Sequence, residues 1–409
     1  MRKKLALILM SLSMEVFASE MTLEEVIDIS LKNNFSLKKQ DISIENSKIA
    51  TKNHYKSMYL PSINFGAEGE IAEVQDKGVG PKSISVKLDL DVWGQQRNQY
   101  RIMKNSLRIA ELNREKSEYS LEEQVIRTYF SYLAAVKNME YTKSTVETLA
   151  RQRSKLDRML NGGNLVSKNE LLKIEIELEE NNLNYSTQLY NSTVLKQQLF
   201  MLMGKGLDQD IDFKDVDISS LKIEGDFSNL KSVEQKALEE STESEITRLQ
   251  IENANYQNKI AKAELYPKFY MKPEYKFEDA GYDKKGARLT FGVSWAFQWG
   301  NTLNNIEVSN NNLEVAKLGY EEKVMQLTLQ ARGMYENLKR AKIAYDINSK
   351  KIELMNENLK LDTRRFENGL MGSRDYLDSM NGLVQAEENQ YIYQQEIFLL
   401  KLALRNLLK

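Results

Sequence analysis

The sequence predicts a mainly α-helical chain with a small antiparallel β part. Long coiled-coil helices and two β-hairpins recur in an internal duplication. Three observations predict this fold class. Across 409 residues there are only 4 prolines and 19 glycines, so most elements run far before anything breaks them. Two short regions alternate apolar and polar residues with a period of two, whereas the remainder repeats at three, four and seven. The second half of the chain repeats the punctuation of the first at a fixed distance.

Composition narrows the function before any motif does. The 57 basic and 59 acidic residues are interspersed and give a formal charge of −2, so there is no basic field for nucleic acid. With no cysteine there can be no disulfide, thiolate metal site, thiol nucleophile or lipid-modified N-terminal cysteine. His54 is the single histidine and sits in a polar stretch, so it reads as a solvated residue. No Ser-His-Asp set, phosphate loop or glycine-rich nucleotide fingerprint is present. The acids spread along helix faces as solvated charge. No enzymatic activity, cofactor or metal is expected.

Residues 1–18 read as an export signal: Arg2, Lys3 and Lys4, an apolar run from Leu5 to Met14, then Val16-Phe17-Ala18 as a small-residue cleavage pattern. Beyond it no stretch of about 20 apolar residues follows, so no membrane helix is expected.

The first repeat is assigned to residues 19–206. Thr22-Leu23-Glu24-Glu25 reads as an N-cap with acidic first-turn residues, opening a short helix to Asn33. A second helix runs from Ser36 to Tyr59, before Pro61. A hairpin follows over 62–93, with strands Ser62–Val74 and Ser83–Trp93. Ile84, Val86, Leu88, Leu90 and Val92 share one face, and Ser85, Lys87, Asp89 and Asp91 the other. From Gln95 to Leu160 neither proline nor glycine occurs, which is roughly 100 Å of helix at about 1.5 Å per residue. Asn161-Gly162-Gly163 breaks it at a reversal spanning 158–172. Ser167 caps the next helix, which runs to Met203. Residues 207–229, Asp-rich and glycine-punctuated, read as an inter-repeat linker.

The second repeat takes residues 230–409. Pro61, Trp93-Gly94, Leu107, Arg158, Gly163 and Ser167 recur as Pro267, Trp299-Gly300, Leu313, Arg364, Gly369 and Ser373, each 206 residues on (299 against 93). The hairpin over 268–299 sets Leu289, Phe291, Val293, Trp295, Phe297 and Trp299 against Arg288, Thr290, Ser294 and Gln298. Pro273 weakens its first strand. The second long helix, Asn301 to Asn368, carries Ile306, Leu313, Tyr320, Leu327 and Met334 by sevens. After one four-residue step, Leu338, Tyr345, Ile352, Leu359 and Phe366 follow, again by sevens. The reversal over 364–378 leads to a last helix.

A strand with one continuous aliphatic face and one charged face suits lipid on one side and a watery lumen on the other. Val86, Leu88, Leu90, Phe291, Val293 and Trp295 are the expected lipid-facing residues. Tyr59, Trp93, Tyr266 and Trp299 fall where helix meets strand, as interface aromatics do. Four strands cannot close a barrel, and open edges are not tolerated in lipid. The chain is therefore expected to oligomerise, with its helices in the periplasm. The alternative is a non-channel periplasmic or surface coiled-coil scaffold.

These features resemble the TolC family of outer-membrane efflux and secretion channels. The segments that carry the resemblance are Thr22 to Val26, Leu60-Pro61-Ser62-Ile63, Trp93-Gly94-Gln95-Gln96-Arg97, and above all the run Arg365 to Asp378. That run resembles the family's aromatic-x-x-Gly-Leu-x-x-x-x-Asp-x-Leu-Asp pattern. The resemblance implies a homotrimer whose twelve-stranded β-barrel continues as a periplasmic α-helical barrel, in the outer membrane of a Gram-negative-type bacterium. It implies a periplasmic adaptor and an inner-membrane transporter as partners, docking at a tip made by Gly163, Leu165, Val166, Gly369, Leu370, Met371 and Ser373. Asp375 and Asp378 fall on the family's acidic entrance positions, where three copies would form rings favouring cations. Phe366 stands where some members have a gate tyrosine, and Asn169 is the uncharged counterpart of Asp375. A closing network is therefore expected to lean on Arg158, Arg364 or Arg365.

Overall fold

The computed structural model describes residues 20–60, 62–66, 83–162, 167–223, 225, 227, 229–276, 286–296, 298–368 and 370–409. The export signal, the turn of each hairpin, and Gly163, Leu165, Val166 and Gly369 lie outside the described residues. In chain order the elements are α1 (Leu23–Asn33), α2 (Phe35–Tyr59), β1 (Ser62–Gly66), β2 (Ser83–Leu90), α3 (Gln95–Asn161), α4 (Lys168–Leu202), α5 (Leu230–Glu239), α6 (Thr242–Ala263), β3 (Lys268–Lys276), β4 (Gly286–Ser294), α7 (Trp299–Glu367) and α8 (Ser373–Leu407). Packing divides the chain into two compact units, residues 1–35 with 118–222 and residues 36–117 with 223–409.

In the first unit, α1 opens on a capping box. The Thr22 hydroxyl accepts from the Glu25 amide and the Glu25 carboxylate accepts from the Thr22 amide, the reciprocal arrangement that satisfies two orphan donors. Its apolar stripe buries Leu23 and Val26, and Tyr129, Phe130, Leu199 and Phe200 of the same unit are buried as well. The inter-repeat segment also contributes structure. Phe213 is buried, packs edge-on to Tyr129 and Tyr132, and lies beside Met21 in a parallel bridge. The Tyr129 hydroxyl reaches the carbonyls of Met21 and Lys214 at 3.0 and 2.6 Å. Burial pushes its phenol well above the usual range. The aperiodic linker in the sequence is thus tied down by one aromatic residue, which a period cannot reveal.

In the second unit, α7 pairs with α8 and α6, and Val233, Ala237, Ala331, Leu338 and Leu404 form a buried cluster. Every heptad position expected from Ile306 to Phe366 is buried or half-buried. Leu327, Ala331, Leu338 and Ala341 are buried on α7, and the positions 206 earlier, Leu121, Val125, Tyr132 and Ala135, are buried on α3. Glu243 receives Lys116 and Lys323 together, joining α6 to α3 and α7.

All four strands form one antiparallel sheet in the order β1-β2-β3-β4, so the two hairpins join through β2 and β3. Two strand assignments need correction. β2 ends at Leu90 rather than at Trp93, because Asp91 leaves the ladder to cap α3. Its carboxylate accepts from the amides of Gln96 and Arg97 at 3.0 and 2.9 Å, and Gly94 turns the chain with φ +76°. β4 ends at Ser294, and Trp299 is the first residue of α7. Pro273 also lies within β3, paired with Leu289. Its missing N–H coincides with a local gap in the β2–β3 ladder, between the pairs Ser85–Glu274 and Leu88–Met271.

Candidate functional site: the sheet faces and the second reversal

The register sorts the sheet into two chemically distinct faces, because directly paired residues of an antiparallel ladder point the same way. Leu88 pairs with Met271 and Met271 with Phe291. Leu90 pairs with Phe269 and Phe269 with Val293. Val86 pairs with Ile63 on β1. One face is therefore an apolar band across β2, β3 and β4, and it stands open: Phe291, Val293 and Leu289 are well exposed. On the other face Asp89 pairs with Tyr270 and Tyr270 with Gly292, and Glu274 lies between Ser85 and Arg288. Charges there come in partners, Lys87 with Asp89 at 3.0 Å and Lys272 with Glu274 at 3.4 Å.

Where strands become helices, aromatic residues gather. The Trp93 indole stacks on Tyr266, centroids 4.4 Å apart, and donates to the Pro267 carbonyl at 2.8 Å. Tyr59 packs on Tyr55 at 5.1 Å. Trp295 lies just beyond β4, and its indole donates to the Leu265 carbonyl at 3.2 Å. It therefore shares this junction as well as the apolar face assigned to it from alternation.

At the reversal between α7 and α8, Asp375 and Asp378 are exposed in the first two turns of α8, and Arg364 and Arg365 are exposed in the last turn of α7. Each pair has the sign that complements its helix terminus. Leu370 is 78% exposed between them and Met371 half-buried. Ser373 starts α8. Of the three arginines expected in a closing network, Arg158 bonds back to the Ser154 carbonyl of its own helix and Arg365 pairs with Asp362 at 3.8 Å. Among the described residues no ion pair joins Asp375 or Asp378 to an arginine.

The sequence reading missed Asp362. It is only 5% exposed and accepts from Asn358 Nδ2 at 2.9 Å and from Ser379 Oγ of α8 at 2.7 Å. The signal was there in outline. Ala341, Asn348, Met355 and Asp362 step by seven beside the main seam, so a polar residue at that spacing belongs inside. Asn348 behaves the same way, donating to the Ala386 carbonyl at 2.7 Å and to Gln390 at 2.9 Å. Buried polar contacts of this kind fix the register of a helix pair.

Among the described residues no helix is long and apolar enough to cross a membrane, and no cluster of three His, Asp or Glu could hold a metal. His54 hydrogen-bonds to the Gln96 carbonyl at 3.3 Å.

Comparison with known proteins bears on what these faces are for. The outer membrane efflux protein family matches residues 26–205 and 233–408. No curated protein matches the sequence. Among solved structures, the CmeC outer membrane channel of Campylobacter jejuni superposes with a TM-score of 0.81 at 18% identity, covering 94% of this chain and 85% of that one. A membrane protein from Pseudomonas aeruginosa gives 0.80 at 15%, covering 95% and 92%. The MtrE outer membrane channel of Neisseria gonorrhoeae, in its open state, gives 0.78 at 17%, covering 94% and 88%. At these identities the likeness establishes the fold.

Proposed function

We propose that this chain, which belongs to the outer membrane efflux protein family, is one protomer of a homotrimeric export duct. Family membership makes it an outer-membrane transport protein rather than an enzyme. The finer reading is that three copies give twelve strands to one barrel, continued by a periplasmic helical barrel. The duct passes cargo passively, as the exit of a tripartite efflux pump or a type I secretion system. An adaptor and an inner-membrane transporter engage the tip at Gly163, Leu165, Val166, Gly369, Leu370, Met371 and Ser373, and Asp375, Asp378, Arg364 and Arg365 gate it. The division into repeats at 19–206 and 230–409, joined by 207–229, is part of this proposal.

One observation carries the assembly. The free edges of the sheet are β1 and β4, and the helices that run off those edges, α2 and α7, each carry a second apolar seam that the chain leaves exposed. On α2 these residues are Ile42 and Ile49. On α7 they include Val308, Val315, Leu329, Ile343, Ile347, Leu354 and Leu361, at steps of four, seven and fourteen. Heptad seams belong in helix interfaces, and unpaired strand edges in lipid must be closed. Two different surfaces on one protomer make a head-to-tail contact, which closes into a ring when the rotation allows. A second copy thus satisfies the edge and the seam together. The apolar sheet face would then meet lipid, with Tyr59, Trp93, Tyr266 and Trp299 at the interface.

The chain has no cysteine, so the contact is directly testable. Single cysteines placed along β1 and β4 together should give, on oxidation of the membrane-embedded protein, bands of two and three copies and none larger. A ladder of higher species, or no cross-link at any edge position, would contradict a closed ring and favour the scaffold.

A further inference from the structure

Gly286 and Gly292 of β4 both fall on the polar face of the sheet, and a Cβ added at Gly286 would meet nothing, whereas Gly292 lies under an aromatic ring. Gly292 on β4 is directly paired with Tyr270 on β3, and Tyr270 in turn with Asp89 on β2. A Cβ added at Gly292 would lie 2.1 Å from Tyr270 Cζ and 2.4 Å from its hydroxyl oxygen. No side chain fits there while the ring keeps its position. The Tyr270 ring therefore lies down on the backbone of the neighbouring strand. From β2 the Lys87 ammonium sits over the ring at 5.2 Å from its centroid, within cation–π range, and the same lysine is held by Asp89 at 3.0 Å. Gly292, Tyr270, Lys87 and Asp89 form a transverse strip over three strands, close to where β4 gives way to α7.

An aromatic ring over a strand glycine shields backbone that a side chain would otherwise cover, and it pins register. That explains a stabilising role. It does not explain why the glycine is needed, since an ordinary paired residue also stabilises a ladder. The distinctive consequence is steric: a phenol that stands up from this face occupies the space the face encloses, and one that lies flat does not.

We infer that Gly292 is the seat that keeps Tyr270 flat against the wall of the export lumen, so that the pair sets the free cross-section at the helical end of the barrel. The inference rests on the duct reading above, in which the polar face lines the lumen. In a closed ring of copies the strip would recur once per protomer at one level, so a change at position 292 acts on the whole circumference.

The test uses the full-length protein, purified in detergent and reconstituted in planar bilayers. Gly292→Val should lower single-channel conductance, and Tyr270→Ala in the Gly292→Val background should restore it, because the small residue removes the displaced ring. Tyr270→Phe, which keeps the ring, should conduct like the parent. Heat-resistance of the oligomer on gels separates a narrowed pore from a damaged sheet. Gly292→Val conducting like the parent, as an intact oligomer, would overturn the inference. So would a loss that the second substitution leaves unrepaired.

A parent oligomer that carries no current would count against the duct reading and leave the seat open to a separate measurement. Nitration of Tyr270 by tetranitromethane, read by mass spectrometry of its peptide, should be slow in the parent and faster in Gly292→Val. Equal rates would overturn the seat whatever the conductance.

Discussion

The ring of Phe366 lies nearly parallel to that of Tyr376, centroids 4.7 Å apart and planes within 8°, so the last turn of α7 is stacked directly on the first turn of α8. One turn further in, Ser379 donates to the buried carboxylate of Asp362 at 2.7 Å. These contacts hold the acids at 375 and 378 in a fixed relation to α7.

Removing the buried carboxylate should loosen that end of the pair. Asp362→Ala removes the acceptor shared by the exposed Asn358 and the half-buried Ser379, a net loss of about 0.5–1.5 kcal/mol per hydrogen bond. Hydrogen exchange across residues 358–380 should rise while the helices nearer the sheet stay protected. A double-mutant cycle with Ser379→Ala should show coupling. Independent, additive effects would mean the contact carries nothing.

Arginine on the apolar sheet face should block membrane assembly. Leu88→Arg and Val293→Arg would each cost up to about 2–4 kcal/mol, the full figure holding at the bilayer midplane and less at Val293 near the helical end, three times over in a trimer. Ser85→Arg, on the opposite face, should assemble normally. Outer-membrane fractionation reads all three, and equal behaviour would mean this face does not meet lipid.

The acidic pair at the tip should attract multivalent cations. A trivalent ion such as hexaamminecobalt should block conductance from the periplasmic side, and Asp375→Ala with Asp378→Ala should relieve the block. Unchanged block in the double variant would put the selective ring elsewhere.

Two half-buried glutamates should give opposite pH responses. Burial raises the Glu243 pKa, but the hydrogen bonds from Lys116 and Lys323 outweigh it, and the net is below the usual 4.5. A depressed folded-state pKa stabilises above the unfolded value, and that contribution is lost as pH falls through the depressed one. Burial holds Glu388 above its usual value, with the Gln385 hydrogen bond opposing. Its contribution is present at low pH and is lost as pH rises through the raised pKa. Thermal midpoints followed by circular dichroism should therefore fall less on acidification in Glu243→Gln than in the parent. In Glu388→Gln they should lose less as pH rises from about 4 to neutrality.

Much of this was legible in the sequence because its signals are periodic. Ile306 to Phe366 could be read inward by sevens, and Val86, Leu88, Leu90, Phe291 and Val293 onto one face by twos. What escaped was aperiodic. Alternation says which face a residue takes but not which strand lies beside it, so the β2–β3 pairing that unites the hairpins was invisible. Asp362 read as one more solvated acid because charge alone does not report depth. Trp299 looked like a strand residue because alternation ran on past Ser294, where the strand has ended and the chain leads into α7. Phe213 stood alone in a polar linker, and only its three aromatic neighbours, Tyr129, Tyr132 and Phe200, explain it.

The most direct test of the account is single-channel recording from the detergent-purified oligomer, with its mass determined on the same preparation. A trimer that carries discrete, cation-preferring currents is the predicted result. A monomer, stable without detergent and silent in the bilayer, would contradict it and return the chain to the role of a coiled-coil scaffold.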